Sequence, residues 1–358
     1  MPKRVRATTA AFALGAAVLA ASPAIAAGSP HRVIEGSALW QTYKARFIKA
    51  NGRVVDNANG NVSHSEGQGF AMVMAVAAND PATFERIWSF AREKLRVRGD
   101  QLFAWRWKPR AFNQVPDRNN ATDGDILIAW ALMEAAEAGF GDHYAKTARA
   151  IRFDIAKLIR RDRALGVFMM PGAYGFSADH QRGVDVINVS YWVMPALERM
   201  SALTGETLWA SLAGTGPRYI RAASANPAGL PADWNTVKRH SGRVATSRKF
   251  DASFSYNAVR VPLYLAWSQS AGAASLKPYA ADGSWRRRGL RQVDTVRGRT
   301  TGRFDGRGYQ AIASTVDCAL SGRRFPDALR GGLDKHYYPA SLHILSVIAV
   351  KQRYPKCW

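Results

Sequence analysis

The stretch NNATDGDILIAWALMEAAEA, residues 119–138, decides how this chain folds. It reads as a long apolar helix whose mouth carries two aspartates, Asp123 and Asp125, on either side of Gly124. Thr122 with Asp125 three residues on fits a capping box, and acids near a helix N-terminus are favoured by the macrodipole. Taken locally, the acids are helix punctuation. Whether they also handle a substrate depends on the rest of the chain.

Outward from this helix the same texture recurs, with alanine, leucine and methionine at three-and-four spacing broken by glycine and proline. The pattern predicts helices over 66–78, 81–97, 124–139, 143–161, 189–203, 207–222, 258–270 and 337–351. NDPATFERIW is a clean start, with Asn79 or Asp80 as cap and Pro81 in the first turn. β-rich segments are short, such as GVFMMPGAYGF at 166–176. Helices of similar length joined by variable loops predict an all-α toroid of helical hairpins, and the lack of a strict repeat argues against a solenoid.

The ends bound the compartment. MPKRVR is a basic start, AAFALGAAVLAA an apolar core too short to span a bilayer, and AIA at 24–26 a small-residue cleavage site. Residues 1–26 are therefore expected to be a secretory signal peptide, and the mature chain to be secreted or periplasmic. No later segment offers a long uncharged apolar run, so no membrane span is expected there. Residues 27–358 contain no Pro/Ser/Gly-rich linker and are expected to form one domain.

Cys318 and Cys357 fit an oxidising compartment, where a disulfide would staple the C-terminus at about 4 kcal/mol by the chain-entropy argument; two free thiols are the alternative. There is no HExxH and no paired CxxC, so neither a metal nor another cofactor is expected. The formal charge of +23 is carried mostly by arginine and is densest in WRRRGLRQVDTVRGRTTGR, 285–303. An export signal without a helix-turn-helix, RNP or zinc-finger pattern argues against nucleic acid, leaving solvated surface and attraction to anionic envelope polymers.

The loops are rich in tryptophan, asparagine, arginine and acid. Such loops suit a sugar cleft, because a pyranose offers an apolar face to stack and a rim of hydroxyls to satisfy. Trp88, Trp130 and Trp267 occupy apolar helix positions and are expected in the core. Trp105, Trp107 and Trp234 lie in polar loops and are candidates for carbohydrate contact.

Four motifs in order, SHSEGQGFAM, VPDRNNATDGDILIAWAL, INVSYWVMPAL and FSYNAVRVPLYLAW, resemble the family 8 glycoside hydrolases. Their spacing is most similar to the endoglucanases associated with bacterial cellulose synthesis, and the likeness runs from about Ser37 to YYPASLHILSVIA. The resemblance implies an (α/α)6 barrel with a substrate cleft at one end. It also implies a β-1,4-glucan substrate and a link to the cellulose synthesis and export apparatus. By the same likeness Glu66 is the general acid and Asp123 grips the sugar beside the scissile bond, with Asp125 a cap or support. Tyr191, Arg260, Trp105 and Arg106 are implied to line the sugar sites.

One position departs. The family pattern SYDAxRxP places a base aspartate where this chain has Asn257. An inverting hydrolase needs a second carboxylate about 6.5–9.5 Å from the acid to deprotonate water. An amide orients water but accepts no proton near neutral pH, and losing a general base typically costs about 10²- to 10⁴-fold. Three accounts follow. Asp251 or Asp233 substitutes as base, as a loop glutamate does in chitosan-active relatives; the enzyme is slow; or the chain only binds glycan. For Asp251 a plain turn role stands beside the base role.

Overall fold

The structure is a computed structural model that describes residues 28–358 apart from 182, 240, 287 and 288; the expected leader, 1–26, lies outside the described residues. Ten α-helices are present among the described residues: α1 (Ala38–Phe47), α2 (Ser65–Ala77), α3 (Pro81–Phe90), α4 (Thr122–Glu137), α5 (His143–Ala156), α6 (Met194–Thr204), α7 (Thr207–Ala223), α8 (Val261–Trp267), α9 (Arg307–Ser321) and α10 (Tyr337–Arg353).

Burial sorts them into two layers. Nearly every residue of α2, α4, α8 and α10 is buried, as expected of helices that are apolar all round. By contrast α7 and α9 bury one face only. The inner helices α2, α4, α6, α8 and α10 touch one another in succession, and α10 returns to α2. Outside them pack α1, α3, α5, α7 and α9, with the 3-10 segment Ala273–Tyr279 against α8 and α9. With five inner helices and six outer segments among the described residues, this is the (α/α)6-type barrel that the resemblance implied. Trp88, Trp130 and Trp267 lie in its core as expected.

Among the described residues ten short strands form four small antiparallel sheets between the helices. β1 (Ser63–His64) pairs with β2 (Arg106–Trp107), and β3 (Ile159–Asp162) with β4 (Gly166–Met169). β5 (Val184–Ile187), β6 (Asn235–Lys238) and β7 (Arg243–Thr246) make a third. β8 (Ser253–Phe254), β9 (Arg291–Asp294) and β10 (Arg299–Arg303) make the fourth, so residues 291–303 of the arginine-dense run form a hairpin.

Several expected boundaries shift for local reasons. The segment 143–161 stops being helical at Ala156, because 159–162 pairs with β4. The segment 189–203 begins as a 3-10 turn, where the Asn188 side chain accepts from the Ser190 N–H (3.1 Å), and becomes α-helical at Met194. The segment 258–270 ends at Trp267, where Glu198 takes the N–H groups of Gln269 (2.9 Å) and Ser270 (2.9 Å). Two helices, α1 and α9, were not expected. At α3 the cap is Asp80, which accepts from the Thr83 N–H at 3.0 Å.

The capping-box reading of Thr122 and Asp125 is corrected by the structure. The N-cap of α4 is Ala121, and no side chain caps it. The Thr122 hydroxyl donates instead to the Met170 carbonyl (2.8 Å), while Asp125 accepts from the Phe103 N–H (2.8 Å) and the Asn120 amide (2.7 Å). Asp125 is thus a support that ties two loops to the helix mouth. Cys318 in α9 is bonded to Cys357, with Cα atoms 6.1 Å apart. No helix among the described residues is long and apolar enough to cross a membrane, and no group of three or more His, Cys, Asp or Glu among them is placed to hold a metal.

Candidate active site

A cavity of about 740 Å³ opens where the N-terminal ends of α2, α4, the 258–260 turn before α8, and α10 converge. Helix N-termini carry unpaired N–H groups and partial positive charge, which suits oxygen-rich ligands. Glu66 lies in the first turn of α2 and Asp123 in the first turn of α4. They can stand side by side because the helix mouths nearly touch: a Cβ on Gly124 would meet the Ser65 hydroxyl and lie 2.8 Å from the Glu66 nitrogen. Deeper in, a Cβ on Gly69 would lie 2.5 Å from that of Leu127. The glycines here permit approach.

Arg260 joins the site together and is almost wholly buried. Its Nη1 donates to Glu66 and, at 2.7 Å, to Asp123 Oδ2. Its Nη2 donates to the Ser190 hydroxyl (2.8 Å) and to Asn257 Oδ1 (3.1 Å), and its Nε to the Asn257 carbonyl (3.2 Å). One guanidinium therefore links the helix-mouth acids to the turn that carries Asn257, using the planar fork that distinguishes arginine from lysine. The Tyr191 ring lies under the same guanidinium, 5.6 Å from its carbon.

Burial sets the electrostatics. It pushes the Asp123 carboxyl up, against the pull of the Gly124 N–H it accepts from. It raises Asp125 to about 8 and Asp233 to about 6, and keeps Tyr191 a neutral phenol. These are desolvation effects, which favour the uncharged form of an acid.

Glu66, Asp123, Asn257, Tyr191, Arg260 and Trp105 all line the cavity. Arg106 lies behind Trp105, its guanidinium 4.2 Å from the ring centre, and the antiparallel pairing of His64 with Arg106 holds both against β1. Trp234 lies outside the cavity wall, stacked on Phe250 at 4.7 Å with its edge toward Tyr191. Trp107 likewise packs away from it, against Phe90 and under Arg53.

Neither substitute base lines the cavity. Asp251 is exposed and accepts from the Ser253 hydroxyl at 3.1 Å. Asp233 is buried beneath the Asn257 turn, its Oδ1 accepting from the N–H groups of Ser255 (2.9 Å) and Ala258 (2.7 Å). Among the lining residues not singled out from sequence are Asp56, His64, Tyr338 and Asp305. His64 and Tyr338 fall inside quoted motifs, HSEGQG and YYPAS. Asp56 and Asp305 stand in DNANG and FDGRG, where acid beside small turn residues was the available signal. The His64 ring stacks on Trp105 (6.0 Å, 7° between planes) and faces Asp56 at 3.9 Å, while burial pulls its imidazole below the usual range.

A helical barrel with carboxylates, an arginine clamp and aromatic faces around one open cavity defines the class: a glycoside hydrolase of the α/α-barrel type. The sequence model described as "Glycosyl hydrolases family 8" matches residues 1–352. The chain belongs to that family. It is 39% identical over 254 residues to a probable endoglucanase of Novacetimonas hansenii, covering 71% of this chain and 72% of that protein. It is 38% identical over 243 residues to an endoglucanase of Cellulomonas uda, covering 68% and 66%. The solved endo-β-1,4-glucanase CMCax from Acetobacter xylinum is similar in fold, with a TM-score of 0.77 at 34% identity over 89% of this chain and 98% of that one. The endoglucanase Cel10 from Klebsiella pneumoniae also has a TM-score of 0.77, at 32% identity, covering 88% and 99%.

Proposed function

We infer that this protein hydrolyses internal β-1,4 bonds of a cellulose-like glucan with inversion, after export through its leader. The observation that carries the reading is the Glu66–Arg260–Asp123 cluster at the floor of an open, aromatic-walled cavity. Family membership and relatives named endoglucanases support the same substrate class. In this reading Glu66 protonates the leaving glycosidic oxygen. Asp123, paired with Arg260, grips a hydroxyl of the sugar next to the scissile bond. Tyr191 and Trp105 offer apolar faces to the ring. Asn257 is held by Arg260 and orients water through its carbonyl oxygen, but an amide takes no proton. Hydrolysis that relied on Asn257 alone would run about 10²- to 10⁴-fold below that with a carboxylate.

Release of reducing ends from soluble cellulose, mixed-linkage glucan and chitosan tests the reading, with Glu66→Gln as control. The expected outcome is release from the first two, lost in Glu66→Gln. No release from any of them would overturn the hydrolase reading, and release from chitosan alone would move the substrate to that glycan. Asn257 also favours a second reading, a non-catalytic glycan-binding protein of the cellulose export apparatus. That reading requires cello-oligosaccharide binding that survives Glu66→Gln, with no turnover in either form.

A further inference from the structure

The acids facing the cavity are Asp56, Glu66, Asp123 and Asp305. Three of them are committed. Glu66 and Asp123 share the Arg260 guanidinium. Asp56 accepts from the Ala58 N–H at 3.2 Å, faces His64, and lies on the segment leading into α2, on the side of the acid itself. Asp305 alone among them makes no hydrogen bond or ion pair with any described residue.

Asp305 stands just before the start of α9, where an acid would ordinarily cap the helix. That task is taken by Asp334, which accepts from the N–H groups of Arg307 (3.1 Å) and Gly308 (2.8 Å). Between them Gly306 has φ of 143°, and a Cβ there would lie 2.9 Å from Asp334. On the other side the Phe304 ring meets Tyr256 edge-on at 5.7 Å, and the Phe304 N–H donates to the Leu290 carbonyl at 2.9 Å. The loop is thus anchored at both ends, next to the turn bearing Asn257, with one carboxylate left free. Asp305 is exposed to solvent and lines the same cavity as Glu66, Asp123 and Asn257.

We propose that Asp305 is the general base of this enzyme, replacing the carboxylate absent at Asn257. The proposal rests on the hydrolase reading above. Water attacks the anomeric carbon from the face opposite the leaving group and loses a proton to Asp305. The bond from that carbon to the glycosidic oxygen breaks, and the oxygen takes the proton of Glu66. Asn257 is then a positioning residue that orients the water.

The test is steady-state hydrolysis of cello-oligosaccharides by the full chain and by Asp305→Asn, Asp305→Ala and Asn257→Asp/Asp305→Asn, with and without azide. Asp305→Asn is expected to lower kcat by about 10²- to 10⁴-fold with KM within a few-fold. Azide, which needs no deprotonation, is expected to restore turnover of Asp305→Ala and yield the α-glycosyl azide. Adding Asn257→Asp to Asp305→Asn is expected to recover at least about tenfold, a modest part of the general-base effect. Near-full kcat in Asp305→Asn would overturn the proposal. So would a rise in KM rescued by neither azide nor Asn257→Asp, which would make Asp305 a sugar ligand. A wild-type chain without turnover would instead remove the hydrolase reading, and this proposal with it.

Discussion

The two sides of the cleft are built by different means. Glu66 and Asp123 stand on the first turns of α2 and α4, buried helices pressed together where Gly69 and Gly124 have no Cβ. Asn257 and Asp305 stand on turns, one between β8 and α8 and the other between β10 and α9, beside the exposed Tyr256. A residue on the helix-mouth side cannot change without disturbing the barrel. A residue on the turn side can change at little structural cost, as loops generally do. An amide in the place of a base carboxylate is tolerable on the second side and would be far harder to accommodate on the first.

Arg260 is where the two sides meet, so its loss is expected to have the largest effect. Arg260→Met leaves Asp123 buried and Glu66 partly buried without their cation and frees the Asn257 turn. Breaking a buried ion pair typically costs about 3–5 kcal/mol. Both the urea midpoint and the turnover should fall sharply. A variant with wild-type stability would show that the sides are held independently.

Gly124→Ala attacks the helix-mouth side alone. Its Cβ would run into Ser65 and the backbone of Glu66, an overpacking that costs about 1–3 kcal/mol. Stability and activity should fall together. Retained activity would mean that the α2 and α4 mouths have slack. On the turn side, Asp334→Ala removes the acceptor for two N–H groups of α9, worth about 0.5–2 kcal/mol by analogy with cap deletions. Here kcat should fall further than stability predicts, because Asp305 loses its anchor. Equal kcat with the same stability loss would show that the loop does not position a reacting group.

The same division explains what could be read from the sequence. α2 and α4 were legible because long apolar helical runs are local and strong signals, while Glu66 and Asp123 were singled out by the family resemblance of the motifs at those helix starts. α9 was harder: its register is set by Gly306 and by Asp334, which stands 28 residues beyond Gly306 in sequence. Asp305 was missed for that reason, since nothing in FDGRG distinguishes a free carboxylate from a capping one. Thr122 and Asp125 matched a capping box in sequence, yet their side chains serve the Met170 carbonyl, Phe103 and Asn120. Local pattern cannot see partners brought in by tertiary packing.

The smallest expected effect compares two buried acids, one on each side. Asp125 supports the helix mouths and is raised by burial to about 8; Asp233 lies under the Asn257 turn and is raised to about 6. Both titrate near 3.8 when the chain is unfolded. Between the unfolded and folded values the native state holds more protons, so stability falls as pH rises through that window. Below the unfolded value both states are protonated and the effect vanishes. Replacement by asparagine removes the titration while keeping one acceptor oxygen. The destabilisation caused by Asp233→Asn should therefore shrink between about pH 4 and 6 and then level off. That caused by Asp125→Asn should go on shrinking to about pH 8. Thermal melts of both variants against wild type across pH 4–9 separate the two windows. A destabilisation by Asp125→Asn that stays constant with pH would show that its carboxyl is ionised throughout, with Phe103 and Asn120 outweighing burial.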